Sequence, residues 1–213
     1  MKPQNDGSSA TELLFIRHGE TDWNRQQRFQ GHIDVPLNDT GHAQAQRLAA
    51  RLAAEQHDAL FSSDLQRARQ TAAPLAAAWG RDDGVLPGFR EQNFGLLEGL
   101  DAPTIQALHP ELWRGWLQQD ADFAAPGGES QRQFHTRILG AVHALVAAQA
   151  GRRVVVVTHG GVLDMLWRTA KGLPLSGLRE CHIPNTGVNR IRWADGRLQI
   201  EVWGDDTHLV AAG

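Results

Sequence analysis

Alternating strand and helix signals predict an α/β protein: a three-layer α/β/α sandwich on a mostly parallel central sheet with a C-terminal antiparallel hairpin. Three observations carry this prediction. Two short apolar runs, at residues 13–16 and 154–157, are bounded by glycine-containing breaks. Stretches of helical periodicity lie between such runs. Near the end, two strand-like pieces flank Asp195-Gly196, a hairpin signal.

The elements follow in order. Leu13-Leu14-Phe15-Ile16 ends abruptly at Arg17-His18-Gly19 and reads as a buried strand running into a loop. Residues 38 to about 56 read as a helix, with Asn38 or Thr40 as cap and Ala45, Leu48 and Leu52 at helical spacing. Ala59-Leu60-Phe61-Ser62 is a second strand, and Ser63 or Asp64 is expected to cap a helix reaching about Trp79. Val85-Leu86 is a weak third strand. Residues 88–101 carry Gly88, Gly95 and Gly99 and read as a loop. Helices are expected over about 102–119 and 130–149, with the breaker Pro126-Gly127-Gly128 between them. Val154 to Val157 are four consecutive β-branched residues, the clearest buried strand. They stop at Thr158-His159-Gly160-Gly161, and a helix runs on to about Lys171. The hairpin pairs residues 188–193 with residues 198–203. Residues 1–11 are polar, without the apolar core of a secretory signal, and read as a flexible tail before a single domain over 12–213.

Composition narrows the function classes. The 213 residues carry a net charge of -3, with 41% hydrophobic and 21% charged residues, an ordinary globular balance. That charge argues against a chain built to coat nucleic acid. No apolar run approaches the roughly 18 residues of a membrane span. A lone cysteine, Cys181, forms no disulfide framework and fits a reducing compartment. The expectation is therefore a cytoplasmic protein without nucleic-acid or membrane partners, its homodimerisation left open. There are 19 Arg against two Lys, and 10 His. Most of the Arg excess reads as compositional bias, so position must decide which arginines matter.

In a parallel sheet, ligands bind beyond the carboxyl ends of the strands. His18 follows the first strand and His159 the strongest one, each followed by glycine. Gly19 and Gly160 are expected to leave bare backbone for a ligand to approach. Gly160-Gly161 opens a helix whose free N–H groups favour an anion. Arg17 stands beside His18, and Arg67 lies about one turn into the helix after the second strand. Two guanidinium groups, two imidazoles and a helix N-terminus suit a phosphate group.

Leu14-Phe15-Ile16-Arg17-His18-Gly19-Glu20-Thr21 resembles the signature of the histidine phosphatase superfamily, the phosphoglycerate-mutase-like proteins. Trp23-Asn24, Phe29-Gln30-Gly31, Pro36-Leu37-Asn38 and Thr40-Gly41 continue the pattern. So do Ser62 to Ala68 with Thr71-Ala72, Arg90 to Gly95 with Glu98-Gly99, Pro126 to Ser130, and Val157 to Gly161. The ordered blocks span about residues 13 to 193. The resemblance implies that His18 is the nucleophile and becomes a phosphohistidine. It implies that Arg17, Arg67 and His159 hold the phosphate, and that Glu91 protonates the leaving oxygen. Asn24 and Gln30 resemble further phosphate-pocket positions, and Thr21 and Gly160 are taken as substrate contacts with them. No metal and no cofactor is implied. A metal site built from His18, Glu20 and His159 is disfavoured because Arg17 would repel the ion.

The family holds both phosphatases and mutases. Its mutases carry a longer insertion between the positions of Glu91 and His159, with basic residues for the substrate carboxylate. Here that span is short. Its helical cap insertion, at about 100–130, offers only Arg114 as a basic group over residues 112–123. The expectation is a metal-independent phosphomonoesterase acting on a small phosphate ester. A phosphoglycerate mutase and a non-catalytic phospholigand-binding module are the alternatives. Trp113 and Trp116 share a helix face in the cap and read as packing residues.

Overall fold

The computed structural model describes residues 10–210. Six strands form one sheet in the order β3-β2-β4-β1-β5-β6. They are β1 (Thr11–Arg17), β2 (Ala59–Ser62), β3 (Gly84–Val85), β4 (Arg153–Thr158), β5 (Val188–Ala194) and β6 (Arg197–Asp205). β1, β2, β3 and β4 run parallel, whereas β5 pairs antiparallel with β1 and β6 antiparallel with β5. The expected α/β sandwich with its terminal hairpin is therefore present. Asp195 and Gly196 both take positive φ, 51° and 70°, as a two-residue turn between right-twisted strands requires.

The helices are α1 (Asp22–Arg25), α2 (Asp39–Leu52), α3 (Gln66–Trp79), α4 (Ala102–Leu108), α5 (Pro110–Leu117), α6 (Gln131–Ala148) and α7 (Gly160–Lys171). Successive strand side chains point to opposite faces, and here each face finds its own core. Leu13, Phe15, Val154 and Val156 pack with residues of α6 and α7, including Phe134, Ile138, Leu163 and Leu166. Leu14, Ile16, Val155 and Val157 pack with residues of α2 and α3, including Leu48, Leu52, Ala72 and Leu75. Burial on both faces explains why β4 reads as an unbroken apolar run. A third cluster joins Leu97, Ile105 and Ala125 to Phe29, Phe94, Trp113 and Trp116, and carries α4 and α5.

Several boundaries differ from expectation. Thr11 belongs to β1 and not to the tail; residues 1–9 lie outside the described residues. α2 ends at Leu52 and is capped by Asn38, whose side chain accepts from the Gly41 N–H. α3 has Leu65 at its N-cap with no side-chain cap, because Asp64 pairs with Arg90 and the Ser63 hydroxyl reaches His159. The third strand is Gly84–Val85, so Leu86 lies beyond it. The expected helix over 102–119 is two helices. Pro110 opens α5, and His109 before it takes φ −136° and ψ 58°, away from the helical region that a following proline disfavours.

Candidate active site

Strand register brings the two sequence-flagged histidines together. Arg17 pairs with Thr158 at the carboxyl ends of neighbouring β1 and β4. The His18 N–H then donates to the Thr158 carbonyl at 2.9 Å, and the two imidazole centroids lie 5.2 Å apart. β2 ends beside β4, and the Ser63 N–H donates to the Val157 carbonyl. This sets the Ser63 hydroxyl 2.8 Å from His159 Nε2.

His18 is buried, and its Nδ1 lies 2.7 Å from the Gly19 carbonyl oxygen. A carbonyl only accepts, so Nδ1 carries the proton and Nε2 keeps a free lone pair. Burial, then Arg67 and Arg17, hold the imidazolium well below the ordinary histidine value of 6.5. His159 is lowered in the same way, by burial first and then by Arg67, His18 and Arg17. Both rings are neutral at neutral pH, which leaves the His18 Nε2 lone pair available.

The arginines are held as firmly. Arg67 is fully buried, and donates to the Gly31 carbonyl at 2.7 Å and the Ile33 carbonyl at 3.0 Å. Arg17 donates to the Ile183 carbonyl at 2.6 Å. Burial lowers each to about 10, so both stay charged at neutral pH. Arg17 Nε and Arg67 Nε are buried without a hydrogen-bond partner. Leaving such a donor unmet costs about 1–3 kcal/mol or more for a charged group, which an anionic ligand relieves.

Glu91 completes the group. Its Oε2 accepts from the Gly161 N–H at 3.0 Å, at the start of α7, and its Oε1 from the Gln92 N–H at 2.9 Å. A Cβ on Gly161 would stand 2.1 Å from Glu91 Oε1, so the carboxylate position requires glycine there. The loop carrying Glu91 is clamped by Arg137, which donates to the carbonyls of Gly88, Arg90 and Glu91. Arg137 is in turn paired with Glu129, which also accepts from the Asn93 N–H. The Pro126 to Ser130 block thus acts at a distance, through the Glu91 loop.

The remaining candidates divide. Asn24 and Gln30 line a 340 Å³ cavity together with Arg67, Glu91, Trp23, Phe29, Phe94 and Trp116. Thr21 is buried and serves Asn24: it caps α1, accepting from the Asn24 N–H, with its hydroxyl 3.1 Å from Asn24 Oδ1. Gly160 abuts the Arg17 and Arg179 guanidinium groups. Gly19 does not offer bare backbone to a ligand as expected. A Cβ there would meet the Gly41 carbonyl oxygen at 2.7 Å, so this glycine lets α2 pack against the signature loop.

Three contributors were not singled out from sequence. Thr71 accepts from the Gly19 N–H and donates to the Arg67 carbonyl, tying the loop after β1 to the first turn of α3. Asn185 donates to the His18 carbonyl at 2.9 Å. Arg179 lines the cavity from a loop with no recognisable pattern. Thr71 belongs to the Ser62 to Ala72 stretch that carries the family resemblance, one helical turn after Arg67. Larger clefts of 540 and 650 Å³ lie at the amino ends of β1 and β4, bordered by Thr11 and Arg153, at the far end of these strands from His18 and His159. No group of three or more metal-ligating side chains occurs among the described residues, and no described helix is long and apolar enough to cross a membrane.

A family model for the histidine phosphatase superfamily (branch 1) matches residues 13–206. The chain is 39% identical over 206 residues to phosphoglycerate mutase-like protein 4 of Arabidopsis thaliana, covering 95% of this chain and 88% of that protein. It is 34% identical to a metal-independent phosphoserine phosphatase of the same plant, covering 97% of this chain and 86% of that one. The solved structure of Bacillus stearothermophilus YhfR superposes with a TM-score of 0.87 at 33% identity, over 94% of this chain and all of that one, 100%.

Proposed function

The chain belongs to the histidine phosphatase superfamily, and we propose that it hydrolyses small phosphate monoesters through a phosphohistidine at His18. One observation carries the reading above the others. His18 is neutral, with Nδ1 held by the Gly19 carbonyl and Nε2 free, beside the Arg17 and Arg67 guanidinium groups, each of which keeps a buried, unpartnered Nε.

In the first half-reaction the His18 Nε2 lone pair attacks phosphorus and the ester P–O bond breaks. Arg17, Arg67 and His159 hold the transferring oxygens, whose charge they stabilise without reorganising. Glu91, in its acid form, gives its proton to the departing alkoxide, which is otherwise a poor leaving group. In the second half a water attacks the phosphohistidine. Glu91 takes the water proton, the P–N bond breaks, and its electron pair returns to Nε2 as inorganic phosphate leaves. No step calls for a metal, and the metal-independent phosphoserine phosphatase relative is consistent with that.

The substrate is small, because the cavity holds 340 Å³ and is walled by Trp23, Phe29, Phe94 and Trp116. The test is turnover of phosphorylated metabolites and aryl phosphates with an excess of chelator present. Release of inorganic phosphate that persists in chelator and disappears in His18→Ala is the expected result. Efficient interconversion of 3- and 2-phosphoglycerate with negligible phosphate release would replace the phosphatase reading with a mutase. Tight phosphate binding without turnover of either kind would make the chain a binding module.

A further inference from the structure

Ser63 carries a buried hydroxyl that the reaction above does not use. It stands just after β2, where a serine ordinarily caps the helix that follows. Here the N-cap of α3 is Leu65, and it makes no side-chain bond. Ser63 is fully buried instead, and its N–H donates to the Val157 carbonyl of β4. That backbone bond sets its hydroxyl against the imidazole that β4 leads into, with Oγ 2.8 Å from His159 Nε2.

The bonds of Ser63 decide which nitrogen of His159 holds the proton. Oγ accepts from the Leu65 N–H at 3.3 Å. A hydroxyl has one proton to give, and among the described residues His159 Nε2 is the acceptor it meets. The His159 ring is neutral, so it carries one proton, and the nitrogen that accepts from Ser63 cannot hold it. The proton is on Nδ1. In the opposite tautomer Nε2–H would donate to Oγ. The hydroxyl proton would then lack an acceptor, and Nδ1 would keep a bare, buried lone pair. That form leaves two buried polar groups unmet where the Nδ1–H form leaves one, and each such group costs desolvation.

The one unmet group is the Nδ1–H itself. It is buried without a partner, as are Arg17 Nε and Arg67 Nε. The His159 ring lies 5.2 Å from that of His18, and the charges of Arg17 and Arg67 both reach it. A lone pair there would repel a phosphoryl oxygen, whereas an N–H attracts one. Resting on the phosphatase reading, we propose that Ser63 is a positioning residue: its hydroxyl locks His159 in the Nδ1–H tautomer, so that a neutral imidazole donates a hydrogen bond to the transferring phosphoryl group. The two histidines thus hold the same tautomer by opposite means. An acceptor on Nδ1, the Gly19 carbonyl, leaves His18 with a lone pair at Nε2. A donor on Nε2, the Ser63 hydroxyl, leaves His159 with a proton at Nδ1. One ring becomes a nucleophile and the other a hydrogen-bond donor.

The experiment reads the tautomer directly. Long-range ¹H–¹⁵N spectra of protein labelled with ¹⁵N-histidine show which ring nitrogen is protonated, and His159→Gln assigns the His159 signals. In the wild-type protein at pH 7, His159 is expected with Nδ1 protonated and Nε2 bare, and saturating inorganic phosphate should shift its Nδ1 signal. Ser63→Ala should populate the Nε2–H form and lower kcat on the order of ten- to a hundredfold, less than the loss of a transition-state donor outright. The loss should be similar on phenyl phosphate and 2,4-dinitrophenyl phosphate, because the bond goes to the phosphoryl group and not to the leaving oxygen. Ser63→Thr keeps the hydroxyl, and should keep the tautomer and most of kcat. A wild-type His159 protonated on Nε2 would overturn the proposal, and that spectrum can be read whether or not any variant folds. An Nδ1 signal indifferent to phosphate would overturn it too. So would Ser63→Ala that loses activity with its tautomer unchanged, or that keeps full kcat with its tautomer changed. An Nδ1–H that responds to phosphate, in a protein that turns over no ester, would uphold the tautomer lock and overturn the phosphatase reading alone.

Discussion

His18, Arg67 and His159 form a buried floor, 3% exposed or less, of which Arg67 lines the 340 Å³ cavity itself, whereas the Arg179 side chain on the cavity rim is 44% exposed. The floor is fixed by the sheet itself: β1, β4 and β2 end side by side, and backbone bonds from His18 and Ser63 lock the loops that follow. The rim is assembled from connections: the 172–187 loop, the α1 region, and the aromatic cluster under α4 and α5. Rigid, desolvated groups suit a reaction that consists mainly of positioning and charge stabilisation. Solvated groups on loops can vary without disturbing that machinery, and so can select a substrate. Damage to the floor should therefore cost activity on every ester, and damage to the rim should depend on the ester.

The largest effect belongs to His18→Ala. Loss of the nucleophile should lower kcat on the order of 10⁶-fold on all substrates, as removal of a catalytic nucleophile does elsewhere. Rapid acid-free quench of the wild-type enzyme with radiolabelled ester should capture label on the protein in a base-stable, acid-labile bond; the variant should capture none. Substrate-dependent residual activity in His18→Ala would mean the floor is not the common centre. Arg67→Ala comes next. It removes a charged donor from the floor and leaves the Gly31 and Ile33 carbonyls without their partner. A loss of about 10²–10³-fold in kcat is expected, uniform across esters. A circular-dichroism melt checks that the variant is folded, since removing one member of a buried polar network also destabilises.

The floor was legible in the sequence and the rim was not, for physical reasons. An apolar run ending in a histidine is local information, and the parallel sheet supplies the rest. Val154 to Val157 must lie in the middle of a two-faced core, so the residues after it reach the same edge as those after Ile16. The split between α4 and α5 was legible as well, in Pro110, but helical periodicity on both sides masks it. Thr21 as a cap was also within reach, since Thr-x-x-Asn satisfies the reciprocal geometry seen here. Arg179 was beyond reach. Its place depends on a loop folding back along α7, and on Arg168 finding four carbonyls that no pattern marks. Gly19 shows a different failure. The glycine is required, but by the approach of Gly41 and not by a ligand.

Gly161→Ala probes the boundary between floor and rim. The added methyl would meet Glu91 Oε1 at 2.1 Å and must push the carboxyl from its seat on the Gly161 N–H. Phosphoryl transfer itself should survive, because the arginines and His18 are untouched. Protonation of the leaving group should suffer. We expect kcat on alkyl phosphates to fall on the order of ten- to a hundredfold, within the usual worth of a general acid. Aryl phosphates with acidic phenols need no proton, so 2,4-dinitrophenyl phosphate should be turned over at nearly the wild-type rate. Glu91→Gln should show the same leaving-group dependence. A uniform loss in Gly161→Ala, with leaving-group dependence kept in Glu91→Gln, would show that the glycine supports the fold and not the acid.

The smallest effect is in the pH dependence of stability, and it tests the desolvation of the floor directly. His18 and His159 are neutral in the folded protein because burial holds them well below 6.5, while in the unfolded chain they titrate near 6.5. The unfolded state therefore binds more protons once the pH drops below 6.5. Stability is fully present above that value and falls as the pH descends toward the folded values, by about 1.4 kcal/mol per pH unit for each histidine. His57, His135 and His208 are lowered too, again by burial first, and add smaller effects of the same sign. Urea unfolding of His18→Asn isolates one floor group, because the asparagine amide can still donate to the Gly19 carbonyl but does not titrate. Between pH 6.5 and 5 the variant should lose stability less steeply than the wild type, by about one histidine's share, while the two curves run parallel above pH 7. Parallel curves throughout would mean that His18 is as well solvated in the folded protein as in the unfolded chain, and the contrast between floor and rim would lose its physical basis.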